Sequence, residues 1–177
     1  WRNKHDLDLQ ARGKGKKKKK KPGAADKQPW EIDPRKIKYK DKLAKGNFGE
    51  VWLGSWLGSP VAIKTVIGTM AQDSEFIERF VLEIKLMSNL HHPNIVMFLG
   101  AVVTPVEKMC LLLEFCVHGN LHEFMKADHE DLTITMHTVL KFATDIARGI
   151  HYIHQKKNII QRDLKSRNVL IDEHLNL

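Results

Sequence analysis

The segment Gln161-Arg162-Asp163-Leu164-Lys165-Ser166-Arg167-Asn168 carries the residue types that a phosphoryl-transfer site needs. An aspartate can accept a hydroxyl proton, and a lysine two residues on can neutralise a moving phosphate. An asparagine five residues on can offer an amide oxygen to a metal ion. Alone, this octapeptide reads as a charged loop. Three earlier features, met in order along the chain, add to its weight. The run Leu43-Ala44-Lys45-Gly46-Asn47-Phe48-Gly49-Glu50-Val51 joins two predicted strands, and its glycines let backbone N–H groups approach phosphate oxygens. By itself, Gly-x-x-Gly in a hairpin is an ordinary turn. Val61-Ala62-Ile63-Lys64 then places a lysine near the end of an apolar strand, where its ammonium enters a cleft or snorkels at the strand edge. Glu83, flanked by Leu82 and Ile84, can pair with that lysine.

The elements that must position these residues follow from periodicity. Ile37–Leu43, Glu50–Trp56 and Val61–Val66 are short, rich in β-branched or aromatic residues and bounded by Gly, Ser and Pro. They predict antiparallel strands, with Gly58-Ser59-Pro60 as the turn before the third. Phe76, Ile77, Phe80, Ile84, Met87 and Leu90 recur at three- and four-residue steps. That spacing predicts an amphipathic helix, N-capped by Asp73 or Ser74 and stopped by His92-Pro93. Strands are expected at Ile95–Val103 and Met109–Phe115. A second helix is expected from Leu132 to about His154, with Val139, Phe142, Ile146, Ile150 and Ile153 on one face. Asn158–Leu177 alternates short apolar pairs with dense charge, as functional loops do. The pattern is α+β.

At 177 residues, 42% hydrophobic and 28% charged, the chain has the make-up of one soluble globular domain. The net charge of +8 is unevenly placed: residues 1–40 hold 15 Lys+Arg against 5 Asp+Glu, and residues 41–177 hold 14 against 16. A nucleic-acid-binding domain would carry its positive charge on the folded body, so no specific nucleic-acid partner is expected. Residues 1–29, with the run Lys16 to Lys21, are expected to be a disordered basic tail. Such a tail serves as a solvated linker, a nuclear address or a contact with an anionic membrane surface. Two cysteines exclude a secreted disulfide scaffold and point to a reducing, cytoplasmic setting. Cys110, Cys116, His118 and His122 lie within 13 residues but match no standard zinc spacing, and Cys110 sits among leucines where buried thiols are common. The longest apolar stretch, Ile95 to Val103, is about half of the roughly 18–20 residues a membrane span needs. The opening Trp1 reads as the start of a fragment.

Residues 37–177 resemble the first half of a eukaryotic protein kinase domain. His92-Pro93-Asn94-Ile95-Val96, Gly100-Ala101, Asp163-Leu164-Lys165-Ser166-x-Asn168 and the lead-in Trp30-Glu31-Ile32-Asp33 are similar to the tyrosine-kinase-like group of Ser/Thr kinases. The resemblance implies a two-lobe fold. A five-stranded N-terminal lobe with one helix would occupy about 37–116, and the start of a helical C-terminal lobe about 117–177. It also implies ATP and Mg²⁺ as cofactors and a protein Ser/Thr hydroxyl as substrate. In that family's terms Gly46 and Gly49 cover the ATP phosphates, Lys64 holds the α- and β-phosphates, and Glu83 orients Lys64. Leu43, Val51, Ala62 and Leu170 sandwich the adenine. Leu113 is the gatekeeper, and the backbone of Glu114 and Cys116 meets the adenine edge. Asp163 is the catalytic base, Lys165 a γ-phosphate contact and Asn168 a Mg²⁺ ligand.

Three departures stand out. Ala44 replaces the first glycine of the loop. Gln161 replaces the usual histidine before Arg-Asp, and its polar amide is expected to weaken the active arrangement. Leu177 falls just short of where Asp-Phe-Gly is expected, so the 177 residues alone are expected to be inactive. The reading is a Ser/Thr protein kinase fragment, with a pseudokinase scaffold that binds nucleotide or partners without turnover as the alternative.

Overall fold

The computed structural model describes residues 28–46, 49–66, 74–127 and 134–177. The lysine run expected to form a tail lies outside the described residues. Gln28 and Pro29, also assigned to that tail, instead form part of a turn in which Gln28 O accepts from Glu31 N at 2.9 Å.

Five strands form one antiparallel sheet: β1 (Ile37–Gly46), β2 (Gly49–Trp56), β3 (Ser59–Val66), β4 (Phe98–Val102) and β5 (Cys110–Glu114). Their order in the sheet is β1-β2-β3-β5-β4. The β2–β3 hairpin turns at Leu57-Gly58, where φ is 52° and 89°, and Trp56 pairs with Ser59. A two-residue turn with both φ values positive matches the strand twist. The expected turn Gly58-Ser59-Pro60 is therefore one residue late, and Ser59 and Pro60 already belong to β3. β1 runs three residues beyond Leu43. The fourth strand is shorter than expected, because Ile95, Val96 and Met97 precede it.

The period-2 alternation of β3 divides the core. Val61 and Ile63 are fully buried on one face with Ile37, Val102 and Leu112, over which Trp52 and Trp56 pack. The opposite face of the sheet carries Leu111 and Ala101, and helix α1 (Ser74–Met87) buries Phe80 and Ile84 there. Trp30 joins this second cluster, because residues 30–32 extend along β4. Ala101 N donates to Trp30 O at 2.9 Å, and Ile32 N donates to Ala101 O at 2.8 Å. Helix α1 ends at Met87, well before the expected stop at His92-Pro93. Asn89 Nδ2 at 2.6 Å and Ser88 Oγ at 3.1 Å both donate to Lys85 O, satisfying a terminal carbonyl that further helix would have used. Of the two expected N-caps, Asp73 lies outside the described residues, and Ser74 is the first helical residue.

A short helix that periodicity did not reveal, α2 (Leu121–Phe124), follows β5 and is capped by Asn120, whose side chain accepts from Glu123 N. Helix α3 (Met136–His151) begins four residues later than the expected Leu132, with the Thr135 hydroxyl accepting from Thr138 N at 3.3 Å. It continues as a π-helical turn, Tyr152–Lys156. On its expected apolar face Phe142 and Ile153 are buried, whereas Val139 is exposed. A third cluster, Phe124, Phe142 and Ile171, fills the space between α2, α3 and the last segment.

Candidate active site

Lys64 lies on the β3 face opposite Ile63, and its Cα is paired with those of Val51 and Leu111. Helix α1 covers that face. Glu83 falls three residues after the buried Phe80 and four before Met87, so it shares the core-facing stripe rather than the solvent side. The result is an ion pair, Lys64 Nζ to Glu83 Oε1 at 3.2 Å, with both side chains part-exposed. At that exposure the pair contributes about 0.2–1 kcal/mol to stability. Its consequence is positional: it holds one ammonium at a known place beside the sheet.

Gly46 and Gly49 face each other as the closing pair of the β1–β2 hairpin. A Cβ on Gly49 would run into the carbonyl oxygen of Thr65. The backbone there lies closer to β3 than any side-chain-bearing residue allows. Val51 pairs with Ala44 as well as with Lys64, and Ala62 pairs with Leu113. Leu43, expected to cover a flat ligand, is largely exposed.

The link from β5 to α2 is held from two sides. Glu114 N donates to Met97 O at 3.0 Å, and the Glu114 carboxylate accepts from Met97 N at 2.6 Å. Leu170 is brought to this link by a bridge with Asn120, and it lines one small cavity with Glu114 and Cys116. Burial, with the nearby carboxylates of Glu114 and Asp172, pushes the Cys116 thiol up to about 11. Cys110 is buried in the sheet core, and among the described residues no group of three or more His, Cys, Asp or Glu side chains is placed to hold a metal ion.

The segment 161–168 brings three of the expected residues into direct contact. Lys165 Nζ donates to Asp163 Oδ2 at 2.8 Å. Asn168 Nδ2 donates to the same oxygen at 3.0 Å and to Asp163 O at 2.8 Å. These bonds, Lys165 first and Asn168 second, hold the Asp163 carboxyl below the usual aspartate range. It is therefore ionised at neutral pH, as a proton acceptor must be. Oδ1 takes part in none of these bonds. Asn168 spends its amide nitrogen on Asp163, which leaves its Oδ1 as the ligand-type atom, and an amide oxygen suits Mg²⁺. Backbone bonds to α2 and to the turn before it, Leu121 N to Val169 O at 2.8 Å and Ile171 N to Gly119 O at 2.9 Å, fix the downstream end of the segment.

With this geometry in place, comparison with known proteins is decisive. The family model for protein tyrosine and serine/threonine kinases matches residues 37–177. The chain belongs to the protein kinase family. Serine/threonine-protein kinase VIK of Arabidopsis thaliana is 42% identical over 145 residues, covering 80% of this chain and 32% of that protein. The probable serine/threonine-protein kinase drkB of Dictyostelium discoideum is 38% identical over 145 residues, covering 81% of this chain and 20% of that protein. Tyrosine-protein kinase SRK3 of Spongilla lacustris is 38% identical over 152 residues, covering 85% of this chain and 43% of that protein. The kinase chain thus spans less than half the length of each of these relatives.

Sequence reasoning missed several groups in and around this candidate site. The side chain of Gln161, singled out as a defect, accepts from the Asp163 backbone N–H at 3.2 Å. Asp145 on α3 is a buried carboxylate that binds Lys141 Nζ at 3.0 Å, and Lys141 Nζ also donates to Leu175 O at 2.7 Å and Asn176 Oδ1 at 2.9 Å. The i,i+4 spacing of Lys141 and Asp145 was the available signal.

Proposed function

We propose that this chain is the nucleotide-binding and catalytic-loop part of a serine/threonine protein kinase. Asp163 accepts the proton of a protein Ser or Thr hydroxyl while the hydroxyl oxygen bonds to the γ-phosphorus of ATP. The bond from that phosphorus to the β–γ bridging oxygen breaks, and ADP leaves. Lys64, steadied by Glu83, holds the α- and β-phosphates, and Lys165 meets the γ-phosphate. Gly46 and Gly49 cover the phosphates, and Val51, Ala62 and Leu170 flank the adenine. The backbone of Glu114 and Cys116 meets its edge beside the gatekeeper Leu113. Asn168 would hold Mg²⁺ through Oδ1, and the ion when bound would supply charge screening for the transferring phosphoryl group. The observation that carries this reading is the oriented Asp163–Lys165–Asn168 triplet, with bonds of 2.8 and 3.0 Å to one carboxylate oxygen. Lysine at position 165 and the similarity to VIK and drkB support a Ser/Thr acceptor over tyrosine.

We assign the lobe boundary to about 116/117 and the working compartment to the cytoplasm. The charge of Lys16 to Lys21 supports contact between residues 1–29 and an anionic membrane surface, weakening as salt rises. Turnover is proposed for the protein kinase domain to which residues 37–177 belong. The test is phosphoamino-acid analysis after incubating full-length protein with labelled ATP, Mg²⁺ and a peptide mixture bearing Ser, Thr and Tyr. Label on Ser and Thr is expected. Label confined to Tyr would reassign the acceptor, and no label with intact ATP binding would mark a pseudokinase scaffold.

A further inference from the structure

Gln161 stands two residues before Asp163, at the position where the family resemblance implies a histidine. The structure gives it a defined job. Its side-chain Oε1 accepts from Asp163 N at 3.2 Å, while its own backbone N donates to His154 Nε2 at 3.4 Å. His154 lies on the π-helical turn that ends α3, and the acceptor role of Nε2 places that ring's proton on Nδ1. The Asp163 carbonyl and carboxylate are held by Asn168, and the carboxylate also by Lys165. The remaining backbone group of Asp163 is its N–H, and Gln161 takes it. From α3 the bonds therefore run His154 to Gln161 to Asp163, and from the far side Asn168 closes the same residue.

We propose that Gln161 is a positioning residue for Asp163: its amide oxygen replaces a backbone acceptor and fixes the peptide plane from which the carboxylate projects. A side-chain oxygen that bonds the backbone N–H two residues on does what a tight turn does, with no regular secondary structure needed. Residues 158–165 form no helix or strand, so no ladder would otherwise hold that N–H. The group that this chain uses at position 161 is an amide oxygen with the reach to accept from Asp163 N. On this account, glutamine is a working substitute and not the mark of a dead site. The proposal rests on the kinase reading for its catalytic consequence, but its structural core can be tested without turnover.

The experiment is residue-resolved amide hydrogen exchange at Asp163 in wild-type protein, Gln161→Met and Gln161→Glu. Methionine keeps the length and loses the acceptor, whereas glutamate keeps an oxygen at the same reach. The wild-type amide should exchange more slowly than an unprotected amide of the same sequence. Exchange should rise about fivefold in Gln161→Met, as loss of one net hydrogen bond implies, and stay slow in Gln161→Glu. In full-length protein, Gln161→Met should lower kcat about tenfold with KM for ATP and the melting temperature nearly unchanged, a split that general unfolding does not produce. Equal exchange in wild type and Gln161→Met, or loss of protection in Gln161→Glu as well, overturns the proposal. A kcat in Gln161→Met equal to wild type overturns its catalytic half. Absence of transfer by wild type would instead count against the kinase reading, and the exchange comparison would still decide the role of Gln161.

Discussion

Single residues carry most of the chemistry, and some are legible in the sequence alone. A lysine at an alternating strand position and a glutamate on a helix stripe meet at 3.2 Å because each period aims one side chain at the same gap. Replacing Lys64 with methionine removes the charged donor proposed to meet phosphate, so full-length protein should lose about 10²–10³-fold in phosphoryl transfer while keeping its melting temperature. Radiometric turnover beside a thermal melt checks both halves. Gln161 was not readable, because its identity suggests a lost ring while its function lies in one oxygen and one backbone N–H. Cys116 gives a pH prediction. Burial and two nearby carboxylates disfavour its thiolate, raising the thiol from 9.0 to about 11, so alkylation should stay slow through neutral pH. At pH 7.5 the thiolate fraction is about a hundredfold below that of an ordinary thiol. Mass-spectrometric labelling rates from pH 7 to 11 should climb only toward the upper end, and a plateau by pH 9.5 would contradict the assignment.

Elements were legible in kind more than in extent. The strands of the sheet and both long helices follow from periods of two and 3.6, yet their ends are set by local bonds that periodicity does not encode. Ser88 and Asn89 stop α1 through Lys85 O, and Thr135 starts α3 with its hydroxyl. Helix α2, with four residues, is too short to show a period at all. Helix α3 also offers a test with an unusual sign. Gly149 packs so that a Cβ would sit 2.6 Å from Asn94 O. Helix propensity alone says that Gly→Ala stabilises a helix interior by about 0.5–1 kcal/mol. The close approach should reverse this, and Gly149→Ala should destabilise by about 1–3 kcal/mol, the cost of overpacking. Urea denaturation reads the sign directly, and a stabilised variant would show that α3 and the 92–95 loop are not in contact as described. Thr135→Ala should cost about 0.5–2 kcal/mol through the lost cap, and the same assay measures it.

At the scale of the molecule, a sheet with one covering helix presents Lys64, while the loop after α3 presents Asp163, and the link from β5 to α2 joins the two. The α+β class and the order of the motifs were visible in the residues. The tie between the last segment and α3 was not, because it depends on Lys141 donating to the Leu175 carbonyl and Asp145 accepting from the Leu177 N–H, each more than 30 positions away. That tie gives the segment containing Leu170 and Asn168 a rigid neighbour, so the site's floor is built on a helix and not on loop alone. The central claim is that Asp163 takes the acceptor proton during transfer from ATP. It is tested most directly by single-turnover transfer of labelled γ-phosphate in full-length protein and its Asp163→Asn variant, at saturating ATP and Mg²⁺. Loss of the proton acceptor should slow the step by about 10²–10⁴-fold with ATP affinity unchanged. An Asp163→Asn variant that transfers phosphate at the wild-type rate would contradict the account.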